Sequence, residues 1–511
     1  MDDNIKKQYK KYRLKYEKRK LARMATSNDK DDINEVNHDI QEYDLIIIGG
    51  GTAGLTCATE SVKYKKKVAI FNYVEPTLSG TEWGLGGTCL NVGCIPKILF
   101  KHAGMIGDIL KSDAIHYGWD INRLKNNWGI LRRNIQNYIK SQNYKNVTYL
   151  NDNGIDYFNQ YAKFIDKNTV ESKDEDGNLL TFRAKTFIIA TGCRPIYPDI
   201  VGSEYGITSD DLFSLENSPE STLIVGGSYV ALECATMLKA LMLPVTVIAR
   251  SEFLKKFDKE MVHKLIKKLD LDTNTITHTN IVKIELVNNK KRVWYKNKEG
   301  ENHIDVDTVL FAIGRKANIN NMNLEKIGIE LNNKIIVNNN NQTTIPNIYA
   351  IGDVSNNFEL NTIAAQSAKL LMARLYGGSD RYINYSNVPT VVFTLPVEYA
   401  FIGLTESVAK DKHAIEVYHE YTDPVEWAAM GMDNTCYIKI ICEKTYGKVL
   451  GIHIISPNAG EIIQGYGLAI NNGLTIHDIN SIIGIHPTIS ETVVGLHITK
   501  SSGVNPKKEK C

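Results

Sequence analysis

The sequence predicts an α/β fold built from two strand–turn–helix units, the second set inside the first, with a mixed α+β region after them. Three observations carry this reading. Two apolar strands, starting near residues 43 and 221, each run into a glycine-rich turn and then a helical stretch. Strand-to-glycine segments return after residue 308, as if the first unit resumes. From about residue 384 the pattern changes to β-rich segments such as Thr390-Val391-Val392-Phe393 and Cys436–Ile441, interspersed with helical ones.

Bulk properties bound the rest. A chain of 511 residues is too long for one core, so two to four domains are expected. A formal charge of +2 and 43% hydrophobic content give no electrostatic case for a nucleic acid or a membrane as partner. No apolar run reaches the roughly 18–20 residues a bilayer span needs. Eight cysteines are too sparse for a secreted disulfide scaffold. Cys57, Cys193, Cys234, Cys436 and Cys442 read mostly as core thiols of a reducing compartment, so a cytoplasmic location is expected, with a mitochondrial form open. Residues 1–42, basic and then acidic, lack an apolar signal core and read as a disordered arm.

In the first unit, Tyr43–Ile48 is a buried strand that meets Gly49-Gly50-Gly51-Thr52-Ala53-Gly54. Gly49, Gly51 and Gly54 form a GxGxxG pattern in the strand–turn–helix setting it requires, so that backbone N–H groups can approach a pyrophosphate at a helix N-terminus. About forty residues on stands Gly86-Gly87-Thr88-Cys89-Leu90-Asn91-Val92-Gly93-Cys94-Ile95-Pro96-Lys97. In an ideal helix, residues five apart have Cα atoms roughly 8.6 Å apart, whereas a disulfide needs about 4.4–6.8 Å. The pair can bridge only across a distortion, and Gly87 and Gly93 supply the freedom for one. A nucleotide cofactor beside a disulfide that opens and closes is the expected arrangement.

The second unit is Ser221–Val225 followed by Gly226-Gly227-Ser228-Tyr229-Val230-Ala231-Leu232-Glu233, a variant fingerprint with Ser228 and Ala231 at the second and third glycine positions. The strand Val245–Ala249 ends not in an acid but in Arg250, with Lys255 and Lys256 close behind. Cations there favour the 2′-phosphate of NADPH over the free ribose of NADH. Thr308–Arg315 and Asn347–Asp353 are further strands, and Asp353 is well placed to accept hydrogen bonds from sugar-like hydroxyls. The Asn-rich tract 338–341 reads as a turn.

These residues resemble the FAD- and NADPH-dependent pyridine nucleotide–disulfide oxidoreductases, and within them the large, animal-type thioredoxin reductases. The matching stretches are GGGTAGL, EWGLGGTCLNVGCIPK, IIATGCRP, SYVALE, FAIGRKAN, IPNIYAIGD, NVPTVVFT and GIHPTISE, in the family's order from residue 43 onward. The resemblance implies two Rossmann-like domains, for FAD (43–205 and 315–383) and NADPH (206–314), a dimer-interface domain (384–498) and a flexible redox tail (499–511), in a homodimer that reduces thioredoxin. It implies no metal. Tyr229 would be a lid over the nicotinamide, Cys94 the thiolate against the flavin and Cys89 the interchange thiol. Lys97 and Glu233 would pair near the flavin, and His486, held by Glu491 and contributed by the other subunit, would carry the proton. Thr88, Thr191, Gly192 and Arg315 fall in the matched motifs and join the expected cofactor-binding set.

The chain also departs from the family. Asn72 replaces the acid that holds the adenosine ribose, and Leu360-Asn361-Thr362 replaces Leu-Thr-Pro. Glutathione reductases share the central chemistry, but Thr59 and Glu60 stand where they carry arginines for glutathione carboxylates. Dihydrolipoamide dehydrogenase would want an acid at Arg250, and a nucleotide sensor without turnover would not need the dithiol. Thr499–Gly503 matches the start of the family's tail, and Cys511 stands where its redox cysteine falls. Selenocysteine is encoded by a triplet normally read as stop, so a continuation with selenocysteine beyond Cys511 is expected.

Overall fold

The protein is described from a computed structural model covering residues 40–269 and 275–507. The arm expected at 1–42 therefore lies almost wholly outside the described residues, and Cys511 lies outside them too.

The first sheet has seven strands. Asp156–Phe158, Val68–Phe71, Gln41–Ile48 and Leu179–Ile189 run parallel, Ile348–Ala350 joins Leu179–Ile189, and Thr169–Lys173 and Ala162–Asp166 extend it antiparallel. Its central strand is apolar on both faces because both are covered. Ile46 and Ile48 enter a cluster with Phe71, Phe182 and Phe187. Leu45 and Ile47 enter another, built with Ala53, Cys57 and Ala58 of helix Thr52–Ser61 and Ala364 and Ala368 of helix Asn361–Gly377. Small residues on the two helices let both approach the sheet closely.

A second sheet, all parallel, takes Thr275–Ile276, Val245–Ile248, Thr222–Val225, Thr308–Phe311 and Ile207–Thr208 in that order. It is contained within residues 207–311, so the chain leaves the first sheet after Leu179–Ile189 and returns to it at Ile348–Ala350. A separate antiparallel meander, Asn280–Val287, Lys290–Asn297 and Gly300–Val306, packs beside it. The C-terminal sheet is antiparallel, in the order Thr390–Val392, Glu398–Gly403, Val449–Ser456, Cys436–Glu443 and Ile415–Thr422. Among the described residues, no helix is long and apolar enough to cross a membrane.

The segment from Thr499, expected to be flexible, lies along the edge strand Ile415–Thr422: the His419 N–H donates to the Ile498 carbonyl and the Tyr421 N–H to the Pro506 carbonyl, both at 2.9 Å. An edge strand presents unpaired backbone groups, and the segment satisfies them.

Phe182 is fully buried and touches Phe71 and Phe158 with ring centroids 4.9 and 5.0 Å away. Phe182→Ala is expected to cost about 3–5 kcal/mol, measured by urea unfolding. A cost below about 1 kcal/mol would contradict this packing.

Candidate active site

Both glycine turns are dictated by the strand alongside. Gly49 has φ +116°, and a Cβ there would sit 2.3 Å from the Ala190 carbonyl oxygen; Gly226 has φ +146°, with the Ala312 oxygen at 2.2 Å. Only glycine fits at either strand end. From the first turn a cavity of about 840 Å³ extends along the ends of the first sheet's strands.

The polar groups of this cavity fit FAD. Asn72 is buried; its Oδ1 accepts from the Gly50 N–H at 3.2 Å, and its Nδ2 has no partner within the chain. The Thr191 hydroxyl is buried and also unpartnered. At Gly51 a Cβ would meet nothing nearer than Gly87 Cα at 3.7 Å, and at Gly192 nothing within 4 Å. Open backbone and unspent donors are what a dinucleotide with sugar hydroxyls requires. Asp353 lines the same space, and burial, with Glu359 nearby, raises its carboxyl above the usual range while Arg315 opposes the rise. Asn361, where the family pattern is broken, hydrogen-bonds Thr52 of the first turn of helix Thr52–Ser61 and lines the cavity.

The two cysteines stand on two helices. Cys89 lies on Gly87–Asn91 and Cys94 opens Cys94–Asp108, with the break at Val92 and Gly93. This is the distortion that the spacing demands. A Cβ on Gly87 would come within 2.6 Å of Gly51 Cα, so the helix bearing Cys89 is packed directly on the nucleotide turn. Asn91 pins it: its Nδ2 donates to the Gly84 and Gly87 carbonyls, and its Oδ1 accepts from Asn143 at 2.9 Å. Neither asparagine stands out in the sequence, because each works across a fold-dependent gap.

Both sulfurs are free thiols that line the cavity and hydrogen-bond each other. The Cys89 thiol donates to Cys94, which lowers the Cys94 pKa to about 7; Lys97 helps, while burial and Glu233 oppose. Cys94 also sits at a helix N-terminus, where the dipole favours a thiolate. The same hydrogen bond, with burial, pushes Cys89 well above its ordinary value. The pair is therefore differentiated, with the anion on Cys94.

Lys97 Nζ pairs with Glu233 Oε2 at 3.0 Å, and Glu233 Oε1 accepts from the Phe393 N–H at 2.9 Å. Glu233 is 2% exposed. Tyr229, at the start of helix Tyr229–Ala240, lines the cavity along with Glu233. Arg315 Nη2 donates to Thr88 Oγ1 at 3.2 Å and to the Cys193 carbonyl at 2.6 Å. Arg194, not anticipated, pairs with buried Asp210 at 2.9 Å and lies over the Trp83 ring.

Other expected residues lie outside this cavity. Ser228 caps helix Tyr229–Ala240, accepting from the Ala231 N–H and donating to the Ala312 carbonyl at 3.1 Å. Its φ of −83° shows why serine can replace glycine there. Arg250 and Lys255 are exposed just beyond strand Val245–Ile248 and form no ion pair among the described residues. His486 Nδ1 is 3.0 Å from Glu491 Oε2, but its side chain is 83% exposed and does not line the cavity of Cys89.

A nucleotide cradle opening onto two differentiated thiols defines a dithiol oxidoreductase. Residues 43–368 match the pyridine nucleotide-disulphide oxidoreductase family, and residues 388–497 match its dimerisation domain. The chain belongs to that family of flavoproteins, which use FAD and a nicotinamide nucleotide. A curated relative, thioredoxin reductase SEP1 of Emiliania huxleyi, is 42% identical over 490 residues, covering 92% of this chain and 98% of the relative.

In the reduced protein, alkylation at Cys94 is expected to follow a titration with a midpoint near 7. Cys89→Ala removes the donor and should move that midpoint upward, toward the ordinary thiol value of about 8.5. An unmoved midpoint in a folded variant would remove Cys89 as the cause.

Proposed function

We propose that the chain reduces the disulfide of thioredoxin with NADPH, as a homodimer, through Cys89 and Cys94. The 42% identity to a protein named thioredoxin reductase, over nearly the whole of both chains, carries the substrate reading. The differentiated thiols beside the nucleotide cradle support the chemistry.

Asn72, Thr191 and Asp353 would hold FAD, which when bound takes hydride from the nicotinamide and passes the electron pair to a disulfide. Residues 206–314 would hold NADPH, with Tyr229 as the lid and Arg250 and Lys255 on the 2′-phosphate. The Lys97–Glu233 pair keeps a cation near Cys94 and so favours its thiolate. Cys89 is held as the thiol, so it attacks an outside disulfide only once a base has taken its proton, and the Cys94 thiolate is then placed to attack the Cys89 sulfur of the mixed disulfide and release the substrate thiol. His486 of the partner subunit would take the Cys89 proton and return it to the departing sulfur, with the Glu491 beside it orienting the ring. That step needs a second subunit, since within one chain His486 is exposed away from the cavity. Near it Ile483 is 93% exposed and Ile485 75%, an apolar surface that a dimer would cover. Cys511 would relay electrons outward from Cys89.

Glutathione disulfide is a poorer fit. Thr59 is neutral and hydrogen-bonds back into its own helix, and Glu60 is paired with Lys63, so neither offers a cation to a carboxylate.

Arg250→Glu is expected to weaken NADPH use relative to NADH by about ten- to a hundredfold, the loss of a contact worth about 1.5–3 kcal/mol. Steady-state rates with both nucleotides measure it, and an unchanged ratio would sink the assignment. Mixing inactive Cys89→Ser and His486→Ala subunits is expected to restore part of the activity, because some heterodimers carry one intact site. No recovery after proven subunit exchange would count against a shared site.

A further inference from the structure

The loop that carries Arg250 and Lys255 is held at both ends. Toward the second glycine turn, the Leu254 N–H donates to the Gly227 carbonyl at 2.9 Å. Phe253 and Leu254 are buried, and Leu254 has φ +46°, a left-handed conformation that a leucine keeps only where its surroundings impose it. At the far end, the Phe257 ring packs on Tyr399 and Phe401 of strand Glu398–Gly403, with centroids 6.2 and 5.4 Å away. Asp258 then caps helix Lys259–Lys268, its Oδ1 accepting from the Met261 N–H at 3.2 Å.

Asp258 is 3% exposed, and its other partners come from the C-terminal region. Lys439 Nζ, on strand Cys436–Glu443, lies 2.6 Å from Oδ1, and the Glu406 N–H donates to Oδ2 at 2.9 Å. Lys439 is itself fully buried and also reaches Glu260 at 3.2 Å and Glu406 at 3.1 Å. Those two glutamates have further cations: Lys264 and Lys500 at Glu260, Lys410 and Lys500 at Glu406. Among the described residues, the only side-chain cation paired with Asp258 is Lys439. His453, pushed down to about 4 by burial, is uncharged at neutral pH. Burial alone would raise the Asp258 carboxyl; Lys439, helped by the hydrogen bonds, reverses this and holds it below the usual range.

A buried carboxylate with one cation is anchored by it, because stranding the charge is costly. The end of the loop is therefore pinned to a sheet that contains none of the loop's own strands. We propose that Lys439 is a positioning residue for nucleotide choice: through Asp258 it holds the 250–258 loop so that Arg250 and Lys255 meet the 2′-phosphate of NADPH already ordered. This rests on the reading of those two cations as the phosphate site. Ordering a loose charged side chain at each binding event offsets part of what its contact contributes. Release of the loop therefore weakens the nucleotide that carries the phosphate and leaves the one without it nearly unchanged.

Two variants of the full-length, FAD-loaded protein test this. Lys439→Met removes the cation at similar side-chain length. Asp258→Ser keeps a helix cap, gives up the link to the C-terminal sheet, and strands no charge, because Lys439 retains Glu260 and Glu406. In both, hydrogen exchange at the Leu254 amide without nucleotide should quicken about tenfold. The dissociation constant of NADP⁺, measured by calorimetry, should rise about tenfold while that of NAD⁺ changes by less than about twofold. If Lys439→Met does not fold, Asp258→Ser decides alone. Unchanged exchange at Leu254 would overturn the link from Lys439 to the loop. Faster exchange with unchanged NADP⁺ affinity, or equal losses for NADP⁺ and NAD⁺, would overturn the positioning role. An Arg250→Glu protein that binds NADP⁺ as tightly as the parent would overturn the phosphate reading itself, and the role of Lys439 with it.

Discussion

The carboxylate of Glu233 joins the three parts of this molecule at one point. It comes from the helix after the second glycine turn, pairs with Lys97 on the helix that Cys94 begins, and accepts the Phe393 N–H next to the C-terminal sheet. A buried charge must be paired, and removing one member of such a pair typically costs about 3–5 kcal/mol. The insert and the C-terminal region therefore cannot shift relative to the dithiol helix without stranding a charge. Lys97 is close to one helical turn beyond Cys94, so the same constraint sets the field at the sulfur.

The polarity of the dithiol follows from this frame. The break at Val92 and Gly93 brings the thiols within hydrogen-bonding reach, and the packing of Gly87 on Gly51 presses their helix against the nucleotide turn. Cys94 receives the donated hydrogen bond, with Lys97 adding to it, whereas at Cys89 that same hydrogen bond and burial outweigh Lys97. Two chemically identical side chains five residues apart acquire opposite tendencies from their surroundings.

Much of this is legible in the sequence where a single residue type is compulsory. Gly49 and Gly226 announce themselves because a neighbouring carbonyl excludes any Cβ, and the cysteine spacing itself demands a broken helix. The Lys97–Glu233 pairing is legible only through resemblance, since nothing in local pattern links residues 136 positions apart, and the roles proposed for Tyr229 and His486 rest on the same resemblance. Asn91, Asn143, Arg194 and the Phe393 amide stayed hidden for the same reason: asparagines and backbone groups acquire meaning only from what the fold puts opposite them. The contacts of residues 498–506 are not legible in the sequence, because Ser, Gly, Asn and Pro in that stretch resemble a linker, while their partners are the edge strand Ile415–Thr422 and the distant Glu260 and Glu406, which Lys500 pairs with.

The claim on which all else depends is that Cys89 and Cys94 form one redox couple served by the nucleotide. Differential alkylation of the air-oxidised holoprotein, before and after one equivalent of NADPH without oxygen, tests it directly by peptide mass. The expected result is that both cysteines resist alkylation beforehand, as a disulfide, and both become alkylatable afterwards, while Cys57, Cys193, Cys234, Cys436 and Cys442, all buried, do not change. Cysteines 89 and 94 that are equally alkylatable before and after NADPH would contradict it.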